Sequence, residues 1–323
     1  MAAGEWRAMT RAFLDRYPLV LGEGSMYERL RRGGSDTFDP EIAYAGMLYD
    51  ETGREVLAAT HREYLDIGQH YGLPMVAGTP TWRASAQRIS RSVYADKPVN
   101  ADGSHFMQDL RASYGADASP ILIAGITGPA GDGYKPEESP DAEGAMAFHS
   151  PQIEALASTG IDLFKVQTLP SFDEARGIAR LLSDTSIPFI LSFVIRRDAS
   201  LLDGTPLDRA IDTIDDETSR PPASYNINCV HTSVFAAAVS AIRTRNPAAA
   251  IRIVGIDANT SAKTPEELDG LDEIDTEAPD DFGRSVHALR KAFGISYLAG
   301  CCGSSTDHIA ALASECRAAE TAG

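Results

Sequence analysis

A chain of 323 residues that is 43% hydrophobic can bury one sizeable core, and its length suits a single α/β barrel domain over residues 1–323. It carries 29 Lys and Arg against 46 Asp and Glu, a net charge of −17, which excludes a broad basic footprint for nucleic acid or anionic lipid. The opening MAAGEWRAMTRAF lacks a secretory apolar region and no apolar run nears the ~20 residues that cross a bilayer, so a cytoplasmic address is expected. In chain order, short runs rich in branched residues predict strands at Leu19–Leu21, Pro74–Ala77, Ile121–Gly125, Leu163–Gln167, Phe189–Phe193, Tyr225–Cys229, Ile251–Ile256 and Tyr297–Gly300. Between them, apolar residues three and four apart predict helices, among them Ala145–Ala157, Phe172–Leu182, Val234–Ile242, Phe282–Phe293 and Ile309–Cys316. Strand–helix alternation implies a parallel sheet, and eight units at this length imply a closed (β/α)8 TIM barrel. Two stretches rich in Pro, Gly and acids, near 130–144 and 260–281, read as loop insertions that serve as lids, oligomer contacts or solvated linkers.

Four cysteines in such a chain are too few for a disulfide scaffold, and a reducing compartment keeps them as thiols. Their placement points to chemistry. Cys229 ends the sixth candidate strand, while Cys301 and Cys302 directly follow the eighth. In a barrel of this kind, strand C-termini share one face, where catalytic groups gather. Three thiols meeting there can surround one tetrahedral ion and leave its fourth position open, the mark of a catalytic zinc site. Thiolates are too soft a donor set for magnesium or calcium. Ordinary packing of three small apolar side chains is the competing reading, and it is adopted for Cys316 on the last helix.

The same residues resemble the homocysteine S-methyltransferase family. AGCCGSSTDHIAAL is similar to that family's G-G-C-C-G-T-x-P-x-H-I pattern, and NINC to its G-x-N-C. Looser likenesses follow in order: GEGSMYERLRRGG to D-G-G-x-G-T-x-L, HREYLDIGQHYGLPMVAGTPTWRAS to the motif ending T-N-T-[YF]-x-A-S, and GIDLFKVQTLPSFDEA to the motif containing E-T-x-P. The resemblance implies a zinc barrel with Cys229, Cys301 and Cys302 as ligands. It implies an S-methyltransferase of the methionine-biosynthesis type, acting on a small thiol acceptor and a small onium methyl donor. It also implies that Glu23 and Gln167 hold the amino-acid part of homocysteine, and it makes a homo-oligomer an expectation by analogy. The chain departs from the pattern at Gln167, where the family has glutamate, at Pro80, and at Tyr27–Arg29. An amide is a weaker partner than a carboxylate for a substrate ammonium.

Three rival functions stay open: a zinc barrel acting on another thiol, demethylation of an onium compound, and a non-catalytic zinc-binding regulatory barrel. Trp82, after the second strand, and Tyr27 are candidate aromatic faces for a cationic donor, with packing as the alternative for each and for Phe193. Asn228 alternates away from Cys229, which gives it a supporting rather than a ligating role. His231 is assigned a helix start or pocket position, His308 either the positioning of the C-C-G turn or a solvent-exposed place, and Arg196–Arg197 a surface charge run in preference to a fork for a substrate carboxylate. The remaining histidines, including His61 and His149, have no partner pattern.

Overall fold

The protein is described here by a computed structural model covering residues 15–33, 38–263, 267 and 275–321. Eight parallel strands close in sequential order: β1 (Val20–Gly22), β2 (Met75–Gly78), β3 (Ile121–Thr127), β4 (Leu163–Leu169), β5 (Phe189–Phe193), β6 (Ser224–His231), β7 (Ile253–Asn259) and β8 (Tyr297–Gly300). The ring outside them is α1 (Glu51–Tyr71), α2 (Val99–Ala112), α3 (Ala142–Ala157), α4 (Phe172–Ser183), α5 (Leu207–Glu217), α6 (Thr232–Arg245), α7 (Pro279–Phe293) and α8 (Thr306–Thr321). This is the (β/α)8 barrel that the alternation predicts. Among the described residues, no helix is long and apolar enough to cross a membrane.

Local chemistry explains the elements. Helix α5 buries Leu207, Ala210, Ile211 and Ile214, spaced by three and four, so one stripe faces the sheet. Helix α1 begins where the Asp50 carboxylate accepts the Gly53 N–H at 2.6 Å, and ends at Gly72 in the left-handed region, φ 64°. Inside the barrel, Val20, Val76, Leu122, Leu163 and Ile190 line an apolar floor around a cavity of about 30 Å³. One layer up the interior turns polar. Lys165 is 2% exposed; its ammonium donates to Asp257 and, at 2.6 Å, to the Tyr297 hydroxyl. Burial lowers the Lys165 pKa, opposed by the Asp257 and Glu23 carboxylates. Gly22 makes room for this layer, since a Cβ there would fall 2.1 Å from the Tyr297 oxygen.

The structure revises several boundaries. Strand β7 starts at Ile253 because Ile251 follows the short helix Pro247–Ala250 and is 78% exposed. Strand β6 continues past Cys229 to His231, with a register shift between Asn228 and Val230. The segment predicted as an insertion at 130–144 holds a short 3₁₀ turn, Pro136–Glu138, and then the start of α3, capped by Asp141. Of the second predicted insertion, residues 264–266 and 268–274 lie outside the described residues, and α7 already begins at Pro279.

Candidate metal centre

Cys229, on β6, has φ 55°, and Thr168, on the neighbouring part of β4, has φ 66°. Left-handed backbone at non-glycine residues costs on the order of 1–3 kcal/mol each and persists where surroundings enforce it. Asn228 provides that enforcement. Its Oδ1 accepts the Thr168 N–H at 3.1 Å, and its Nδ2 donates to the Thr168 hydroxyl at 3.0 Å. Both residues sit at strand irregularities, where an extra residue re-aims side chains.

Across β7, the Cys301 N–H donates to Ala258 O at 2.7 Å, and the Thr260 N–H to Cys302 O at 3.3 Å. Gly303 (φ 81°) completes the turn and gives its N–H to the Glu28 carboxylate at 2.7 Å. A side chain there would meet the Thr260 hydroxyl at 2.0 Å, so this position requires glycine. His308 locks the helix that follows: Nδ1 accepts the Ser305 N–H at 3.2 Å, which leaves Nε2–H to donate to Glu277 O at 3.0 Å.

These two pieces of backbone bring the ligand atoms of Cys229, Cys301 and Cys302 within 4.8 Å of one another. Metal–sulfur bonds of about 2.3 Å in a tetrahedron separate the sulfurs by roughly 3.8 Å, so the three fit one ion. The Cys229 and Cys301 sulfurs lie in direct contact, their Cα atoms 5.6 Å apart, with Cys302 beside them. Burial, reinforced by the Glu28 carboxylate and opposed by a hydrogen bond from Tyr134, pushes the Cys302 thiol up to about 11. A thiolate in this position therefore calls for a compensating cation.

Around the sulfurs, Glu23 accepts the Gly78 N–H at 2.9 Å on one oxygen and meets His61 Nδ1 with the other. Gln167 is half-buried on β4, two residues beyond the buried Lys165. Trp82 and Tyr27 meet edge to face at 5.4 Å, and Tyr27 extends the aromatic group to Phe38 at 5.5 Å and Tyr44 at 6.3 Å. Arg196 and Arg197 are exposed, Phe193 is fully buried against Tyr225, and Cys316 is buried on α8. His231 caps α6 by accepting the Ser233 N–H.

Sequence reasoning missed five residues. His61 was set aside, yet it is the buried partner of Glu23. His149 and Glu174 form a buried pair whose carboxylate takes the Ala130 N–H at 2.7 Å and so anchors the loop after β3. Tyr134 on that loop reaches Cys302. Lys165 gave no signal within its strand.

A family model described as homocysteine S-methyltransferase matches residues 20–316. The homocysteine S-methyltransferase of Escherichia coli strain K12 is 29% identical over a match spanning 61% of this chain and 65% of that protein, just under two thirds. Homocysteine S-methyltransferase 3 of Arabidopsis thaliana is 28% identical, with 96% of this chain and 93% of that protein covered. The crystal structure of the homocysteine methyltransferase MmuM from Escherichia coli in its metallated form superposes with a TM-score of 0.73, at 25% identity, covering 94% of this chain and 98% of that one.

Proposed function

Because the chain belongs to the homocysteine S-methyltransferase family, we propose that it is an enzyme that moves a methyl group from a sulfonium or betaine-like onium donor to the thiolate of homocysteine or a related small thiol. In this reading residues 1–323 act as one barrel domain, and Cys229, Cys301 and Cys302 hold a zinc ion. The observation that carries it is three sulfurs from two strand ends within 4.8 Å of one another. A zinc ion there would supply the positive charge that keeps a fourth, substrate sulfur deprotonated at neutral pH.

The protein's own groups do the rest. Glu23, fixed by Gly78 and His61, and Gln167 face the acceptor's polar end. Trp82 and Tyr27 offer aromatic faces to the donor cation. Asn228 holds Thr168 and Cys229 in the backbone shape that aims the sulfur. The acceptor thiolate attacks the methyl carbon; a C–S bond forms as the donor's C–S or C–N bond breaks, and that electron pair stays on the donor's sulfur or nitrogen, which becomes an uncharged sulfide or amine. The opposite charges of the thiolate and the onium centre cancel, so no acid is needed for the leaving group. Exclusion of water by the aromatic group and the Tyr134 loop favours the step. A thiol other than homocysteine is the second reading, and the uncharged Gln167 favours it, because it gives a substrate ammonium no counter-charge.

The test is a donor-by-thiol screen read by mass spectrometry, with Cys301→Ser in parallel. A free thiol of pKa about 8.5 is only a few per cent ionised at pH 7, so loss of the metal alone predicts a fall of at least ~30-fold. Undiminished methyl transfer by Cys301→Ser refutes the proposed role of the cluster.

A further inference from the structure

Arg83 follows β2 beside Trp82, with its guanidinium carbon 4.3 Å from the indole centroid. One N–H donates to Gly131 O at 2.7 Å. Elsewhere in the chain Arg91, Arg111 and Arg252 each meet a carboxylate, whereas among the described residues Arg83 has no ion-pair partner. The Asp132 and Glu138 carboxylates act on Arg83 only from beyond ion-pair distance, while Asp132 accepts the Tyr134 N–H at 2.9 Å and Glu138 the Asp132 N–H at 3.0 Å. Burial and then the like charge of Arg88 hold the Arg83 guanidinium below its ordinary value. A partly desolvated fork of donors, pressed by a second cation and with no anion in contact, is incomplete as a structural element.

Its position says what would complete it. Trp82 touches Tyr27, the neighbouring Glu28 holds the C-C-G turn, and the Gly131 loop carries Tyr134 to Cys302. Arg83 is thus linked to the sulfur site through Trp82 and Tyr27 on one side and through the loop from Gly131 to Tyr134 on the other. We propose that Arg83 is a specificity-determining residue that takes the carboxylate of a zwitterionic methyl donor, while the donor's onium group lies against Trp82 and Tyr27. The inference rests on the methyl-transfer reading. An isolated onium cation beside Arg83 would be repelled; a carboxylate on the same molecule cancels that repulsion and uses the guanidinium fork.

Calorimetry of the full-length, zinc-loaded protein decides it, with dimethylsulfonioacetate compared with trimethylsulfonium, which lacks the carboxylate. The wild type is expected to bind the zwitterion about 10- to 100-fold more tightly, and in Arg83→Gln the ratio falls towards one. Arg83→Lys, which keeps the charge and loses the fork, restores part of it. An unchanged ratio in Arg83→Gln overturns the proposal, as does equal weakening of both cations, the pattern of a purely structural residue. If homocysteine set against 3-mercaptopropylamine loses its carboxylate preference in Arg83→Gln instead, the anion belongs to the acceptor and the donor assignment fails. Turnover is read separately. Absence of methyl transfer would sink the enzyme reading, and the binding ratio would still decide the role of Arg83.

Discussion

The two ends of the barrel interior follow different rules. At the N-terminal end Val20, Val76, Leu163 and Ile190 point inward from regularly paired strands and fill the space with hydrocarbon. At the C-terminal end the ladder is interrupted on β4 and β6, Thr168 and Cys229 adopt left-handed backbone, and the inward groups are sulfur, amide and carboxylate. Between them lies the Lys165–Asp257–Tyr297 layer. One end stores stability, and the other spends some of it on geometry.

Paired substitutions break that contrast most severely. Leu163→Ala, at a buried floor position, is expected to cost about 2–5 kcal/mol in urea unfolding while the remaining folded enzyme keeps its kcat. Asn228→Ala leaves the Thr168 amide and hydroxyl unpaired, and is expected to cost only about 1–3 kcal/mol but to cut metal affinity or activity about 10- to 100-fold. Equal stability costs with equal activity would erase the distinction.

A smaller effect tests the floor end alone. His287, buried near Pro18 and Leu19, is held below its ordinary 6.5 by burial and by Lys291 and Arg290, with Glu315 at 4.0 Å opposing. The unfolded chain then takes up a proton more readily than the native one. His287 therefore contributes stability in full above about pH 6.5, and that contribution is lost as pH falls below it. Urea midpoints from pH 5 to 7.5 should rise with pH in the wild type and rise less in His287→Gln. An identical slope would remove His287 from the account.

The same division explains what could be read from the sequence. All eight strands were visible because parallel strands buried on both faces are near-continuous apolar runs. The three cysteines were visible because chain order and strand ends alone place them on one face. Lys165 was not, since a run such as LFKVQTL does not say which alternate residues face the helices and which the axis. The left-handed turn at Cys229 was hidden because NINC reads as regular strand; the bulge exists only through Asn228 and Thr168, 60 residues apart. His61 and Tyr134 escaped for the same reason, being joined to Glu23 and Cys302 by tertiary contacts.

The most direct measurement is zinc content with X-ray absorption on the reduced, full-length protein. One zinc per chain with three sulfur neighbours at about 2.3 Å, lost in Cys302→Ser, is the predicted result. A reduced protein that transfers methyl groups at full rate without bound metal would contradict it.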